Sequence, residues 1–217
     1  TLSLHDALPI SRMTRLRLPE TADTAVLYTL YTHMSHGEST PGDQVYAAHA
    51  LLGEQAGSWF QFVSDTQLER GERKLGGYKA VYLPLGQYLT VEATQQIEAY
   101  VRAGGVLVCG DADAFGWDLA GNDTSAARAR ILGIKTRGPK TAEEIRLTQS
   151  AFGLASGSRL KLFDIRLGDE TTADRARAIE VVDQNAEVLA AYPDGSPALV
   201  SRALGRFIFP PFLFQPS

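Results

Sequence analysis

KAVYLPLGQYLTVEATQQIEAYVRAGGVLVCG (79–110) decides the fold. It opens on a short apolar run, KAVYLPL (79–85), with the texture of a buried strand. A helix follows over TVEATQQIEAYVRAGG (90–105), where Thr90 is a suitable N-cap and Val91, Ile97 and Val101 separate from the acidic Glu92 and Glu98. Gly104-Gly105 ends that helix, because a left-handed residue after the last turn is strain-free only in glycine. GVLVCG (105–110) is then a second apolar strand. Strand, crossover helix and strand within about thirty residues make a βαβ unit, whose two strands run parallel.

The same rhythm extends toward the N-terminus. TAVLYTL (24–30) and SWFQFVS (58–64) read as strands. Between them lie a polar loop, YTHMSHGESTPGD (31–43), and a helix whose apolar positions are Val45, Ala48, Leu51, Leu52 and Ala56, with Asp43 as its cap and Gly57 as its stop. DTQLERGERKLGGY (65–78) is a polar connection with room for one helical turn. Apolar strands alternating with helices imply a mostly parallel sheet covered on both faces, a flavodoxin-like three-layer α/β sandwich. Beyond Ala114 one more helix is expected from Asp123. The texture then becomes β: EIRLTQ (144–149), SRLKLFDIRL (158–167), RAIEVV (177–182), AEVLAAY (186–192), PALVSRAL (197–204) and RFIFPPF (206–212), with Asp194-Gly195 and Leu204-Gly205 as hairpin turns. The expected organisation is an α/β core over 12–135 with a β-rich extension of the same domain over 136–217.

Residues 1–11, TLSLHDALPIS, match no element pattern. Read back into codons they reproduce a common short-read sequencing adapter, so they are set aside like a fusion scar. On that reading Arg12 is an internal residue of a longer, truncated protein.

Composition narrows the function. The chain has 217 residues, a net charge of −4 and 21% charged residues, with no basic stripe interleaved with aromatics, which argues against a nucleic-acid partner. No apolar run reaches the length of a membrane helix. A single cysteine, Cys109, excludes an internal disulfide and a cysteine-rich zinc site. No Gly-rich loop has the strand–loop–helix context of a phosphate or dinucleotide fingerprint, and no cofactor is expected.

Several segments in order, YKAVYLPLGQYLT, YVRAGGVLVCGD and AAYPDGSPALVSRALGRFIF, resemble the class I glutamine amidotransferase-like fold. More narrowly they resemble the trimerisation domain of glycoside hydrolase family 42 β-galactosidases and their relatives. The matching features are Leu83-Pro84, Gly104-Gly105, the turn from Asp194 to Ala198, and Gly205-Arg206, over roughly Ala25 to Phe212. The resemblance implies a non-catalytic accessory domain that follows a catalytic barrel, assembles as a homo-oligomer and shapes a neighbouring active site. Amidotransferase chemistry would need a cysteine on a strand-to-helix elbow with a histidine downstream. Here His5, His33, His36 and His49 all precede Cys109, and GDADAF after it is no small-residue elbow, so Cys109 reads as an ordinary buried strand cysteine.

Two polar stretches should lie at the C-terminal edge of the parallel strands, where open α/β sheets bind ligands. The first carries His33, His36, Glu38 and Asp43, in an H-x-x-H-x-E pattern that could ligate a metal, contact a sugar or cap the next helix. The second, GDADAFGWDLAGND (110–123), carries Asp111, Asp113 and Asp118, which could form an acid–base pair or simply make turns, and Trp117, which could stack on a carbohydrate or anchor an interface. Alternatives to an accessory domain are a stand-alone ligand-binding or sensor module built on 32–43, and a small hydrolase using Asp111 or Asp113 with His36. The apolar FIFPPFLF (207–214) suggests burial against further chain or another subunit.

Overall fold

The computed structural model describes residues 22–36, 45, 48–162, 176–202 and 215–216. Four short strands, β1 (Thr24–Tyr28), β2 (Phe60–Ser64), β3 (Ala80–Leu83) and β4 (Val106–Cys109), form a sheet in the order β2-β1-β3-β4 with every pairing parallel. This is the flavodoxin-like strand order, which reverses direction between β1 and β3. The register aligns Ala25 with Val81 and Val81 with Leu107, and Leu83 with Cys109. These side chains share one face and join one core cluster with Leu27, Val63 and the buried side of the crossover helix. That helix, α3 (Val91–Arg102), follows two shorter ones, α1 (Leu30–His36) and α2 (Asp65–Glu69).

The helix expected over 90–105 forms as α3 with the expected cap, but its buried face differs from the expected one: Val91, in the first turn, is half exposed, and Ala93 and Tyr100 join Ile97 and Val101 instead. The Thr90 hydroxyl accepts from the Ala93 amide at 3.1 Å, and Ala93, Ile97, Tyr100 and Val101 face the core. Gly104 adopts φ +90° after the last turn. Gly105 is required for space, since a β-carbon there would stand 2.3 Å from the Tyr100 ring. The connection after β2 contains α2, closed by a capping box in which the Ser64 hydroxyl accepts from Gln67 N and the Gln67 side chain accepts from Ser64 N.

Three expectations need correction. The stretch after β1 is not loop throughout: α1 carries it to His36, because the first helix-breaking residue is Gly37. Val45 is helical, but the helix expected to run on to Gly57 is, over His49–Gln55, a π-helical turn. The helix expected from Asp123 begins at Ser125 (α4, Ser125–Leu132), with the Asp123 carboxylate accepting from Ser125 N ahead of it.

The remainder is antiparallel. β5 (Ile134–Pro139) pairs with β8 (Arg177–Val181). β6 (Glu144–Leu147), β7 (Arg159–Lys161), β9 (Ala186–Ala191), β10 (Pro197–Arg202) and β11 (Gln215–Pro216) form a sheet in the order β10-β9-β6-β7-β11. The Asp194-Gly195 turn joins β9 to β10 as expected, with Gly195 at φ +84°. β5 has no counterpart in the expected strands. The Leu204-Gly205 turn, RFIFPPF and the end of SRLKLFDIRL lie outside the described residues.

Candidate functional site

The C-terminal ends of β1, β3 and β4 and the segments that leave them form one continuous polar edge. Leu83-Pro84 ends β3, and the chain then turns through Gly86. Two threonines tie the segment after β1 to this turn. The Thr29 hydroxyl donates to Leu85 O at 2.9 Å, and the Thr32 hydroxyl donates to Tyr88 O and accepts from Tyr88 N, both at 3.0 Å. Both threonines are buried.

Asp111 ties the same turn to the segment after β4. The residue is 8% exposed, and its carboxylate accepts from Gly86 N at 2.9 Å and from Asp113 N at 2.8 Å. Burial pushes its pKa up to about 6 despite the Gly86 bond, and the neighbouring Asp113 charge adds to the rise. Phe115 N donates to Gly86 O, and Trp117 N to Gln87 O, so the two segments run side by side.

Arg128, buried on α4, holds the 110–124 segment from beneath. Its guanidinium donates to Ala114 O and Asp113 O, each at 2.8 Å, and to the Thr136 hydroxyl at 3.1 Å. Thr136 donates in turn to Ala112 O. Phe115 sits fully buried at φ +59°, a left-handed conformation that a bulky side chain adopts only under constraint. Asp113 faces the β-rich part, where Arg177 Nε donates to its carboxylate at 2.7 Å.

The residues singled out from sequence therefore divide. Asp111, Asp113 and Trp117 do lie at the edge, yet Asp111 accepts main-chain amides and Asp113 accepts from an arginine. His33 lies on α1 with Nδ1 3.2 Å from Thr29 O and its ring 4.4 Å from that of Tyr28. The backbone of His36 ends α1, its side chain is outside the described residues, and so are Glu38 and Asp43. Among the described residues no group of three His, Cys, Asp or Glu side chains could hold a metal ion, and no helix is long and apolar enough to cross a membrane. Cys109 is fully buried, its thiol donates to Asp111 O, and burial pushes its pKa far up, away from thiolate chemistry.

Trp117 is the exposed feature of this edge. Its backbone is fixed on both sides, N to Gln87 O and O from Leu89 N, while 44% of the residue is open to solvent. Leu119 on the same segment and Met34 on α1 are also exposed. The residues missed from sequence are Thr29, Thr32, Arg128 and Arg177. Arg128 carried a readable signal: it sits one turn before Leu132 and beside Ala127, on the apolar side of α4.

No protein-family model and no curated protein matches this sequence. Solved structures do match its architecture. The β-galactosidase of Bacillus circulans sp. alkalophilus superposes over 94% of this chain and 30% of its own, with TM-score 0.67 and 20% identity. The chain has the fold of one segment of glycoside hydrolase family 42 β-galactosidases. Gan42B, a GH42 β-galactosidase from G. stearothermophilus, matches over 90% of this chain and 28% of its own with TM-score 0.66 and 16% identity. An exo-β-1,4-mannosidase, Op5Man5 from Opitutaceae bacterium strain TAV5, shares the fold over 96% of this chain and 34% of its own, with TM-score 0.58 and 12% identity. The chain thus spans about a third of the length of each of these three hydrolases, and the likeness covers both the parallel sheet and the β-rich part.

Proposed function

We propose that this chain is a non-catalytic accessory domain of a larger glycoside hydrolase, one that brings subunits together and helps to shape a neighbouring active site. The observation that carries the reading is the asymmetry of coverage: nearly all of this chain corresponds to under a third of the Bacillus circulans sp. alkalophilus and Gan42B β-galactosidase chains. The edge chemistry supports it. Asp111 and Asp113 have their acceptor positions engaged by Gly86 N, Asp113 N and Arg177, and Cys109 is held as a buried thiol, so these groups hold loops in place. What the edge offers outward is a rigidly mounted indole, with Leu119 exposed on the same segment and Met34 exposed on α1, apolar groups suited to contact with a catalytic domain or a second subunit.

The test pairs the 217-residue chain with the longer protein encoded at its native locus. Hydrolysis of p-nitrophenyl β-galactoside and the sedimentation coefficient are measured for both, and for Trp117→Ala in the longer protein. The expected result is no turnover by the chain alone, turnover by the longer protein, and a loss of assembly or turnover in the variant. Turnover by the isolated chain that disappears in Asp113→Asn would overturn the reading in favour of a hydrolytic site at this edge.

A further inference from the structure

A second cluster of charged side chains lies away from the sheet edge, in the seam between α3, α4 and β10. Glu98 and Arg102 come from α3, Arg130 from α4 and Arg202 from β10. With Val101 and Ile131 as an apolar floor they line a cleft of about 170 Å³. The Glu98 carboxylate serves two guanidinium groups at once. Oε1 accepts from Arg102 Nη2 at 2.8 Å and Nε at 3.2 Å and from Arg130 Nε at 3.4 Å, and Oε2 accepts from Arg130 Nη2 at 3.3 Å. Arg202 pairs with Asp183 and donates through Nη1 to the Arg130 and Ile131 carbonyls.

Three guanidinium groups thus meet two carboxylates, which leaves one positive charge in excess within a chain of net charge −4. Hydrogen-bonding capacity is in excess as well. Among the described residues no acceptor is bonded to Arg102 Nη1, Arg130 Nη1 or Arg202 Nη2. Donors from three different elements can reach more oxygens than the two a carboxylate supplies. Planar forks around a small cleft suit a tetrahedral oxyanion, to which arginine binds through paired, charge-assisted bonds.

We infer that this cleft is a phosphate-binding site, formed by Arg102, Arg130 and Arg202, for free phosphate or for the phosphate group of a phosphorylated sugar. The inference is independent of the accessory-domain reading, since neither the sheet edge nor any neighbouring domain takes part. The competing role for these arginines is capping the C-terminal carbonyls of α3 and α4, which would stabilise the fold without any phosphate dependence.

The experiment is thermal unfolding of the 217-residue chain titrated with inorganic phosphate or with glucose 6-phosphate, each against sodium chloride at matched ionic strength. Phosphate is expected to raise Tm saturably above the chloride control. In Arg102→Gln/Arg130→Gln the apparent affinity is expected to fall by about tenfold or more, and in Arg102→Gln alone by roughly threefold. Arg102 is two-thirds exposed, so the single variant folds even if the double variant does not. Glucose 6-phosphate binding several-fold more tightly than phosphate supports the site and assigns it to a sugar phosphate, whereas equal binding supports it as a site for free phosphate. Identical behaviour in phosphate and chloride, or a phosphate effect that survives in the variants, overturns the inference and leaves helix capping as the role of the cluster.

Discussion

Asp111→Asn probes the tie that joins the two edge segments. The native carboxylate is buried, has no bonded cation, and satisfies two main-chain amides. The charged groups nearest it are Asp113, which raises its pKa, and Arg128, which lowers it. With the pKa at about 6 against an ordinary 3.8, the folded state holds a proton on Asp111 that the unfolded state has already released. Stability therefore falls as pH rises between these two values, at about 1.4 kcal/mol per pH unit, for a total of about 3 kcal/mol from this one group. The effect is absent below pH 3.8 and complete above about 6. Asp194, Asp183 and Glu98 act in the opposite sense, because hydrogen bonds and ion pairs hold their pKa values down and their contributions are lost in acid. The comparison must therefore be between wild type and Asp111→Asn, in which those contributions cancel. Urea unfolding followed by tryptophan fluorescence from pH 3.5 to 7.5 should show the wild type losing about 3 kcal/mol relative to the variant across this range. The Gly86 and Asp113 amide resonances of the wild type should shift with a midpoint near that of the carboxyl. Parallel stability curves for the two proteins, with no titration at those amides, would refute the argument that burial raises the pKa of the Asp111 carboxyl.

Arg128→Met retains the aliphatic stem but strands the Ala114 and Asp113 carbonyls. A loss of about 3 kcal/mol is expected in chemical denaturation, with faster hydrogen exchange over 110–124. Gly105→Ala drives a β-carbon into the Tyr100 ring, so Tm should fall by about 5 °C in calorimetry. Cys109 should resist thiol reagents in the native protein and react only at the rate of unfolding, which a timed labelling experiment at several urea concentrations can follow. Trp117→Ala should change the stability of the 217-residue chain by less than about 1 kcal/mol in urea unfolding, since the residue is 44% exposed.

The parallel half of this protein was legible in its sequence because its signals are local. Apolar runs at 24–30, 58–64, 79–85 and 105–110, the Thr90 cap and the Gly104-Gly105 stop depend only on spacing and backbone freedom along a few residues. From strand direction alone, the segments after β1 and β4 had to emerge at one edge. Side-chain roles at that edge were not legible. Asp111 and Asp113 read more readily as turn formers than as an acid–base pair, but only the positions of Gly86 N and Arg177, remote in sequence, decided what each binds. β5 illustrates the same limit. IKTRGP contains a glycine and a proline and carries little strand signal, yet it becomes a strand because β8, far along the chain, supplies its hydrogen-bond partner. The sequence by itself determined where the chain could be helix or parallel strand and which edge would be polar. Tertiary structure alone decided which polar groups hold the fold together and which, like Trp117 and the arginine cleft, face outward, because satisfying a buried donor or acceptor depends on backbone that arrives from elsewhere in the chain.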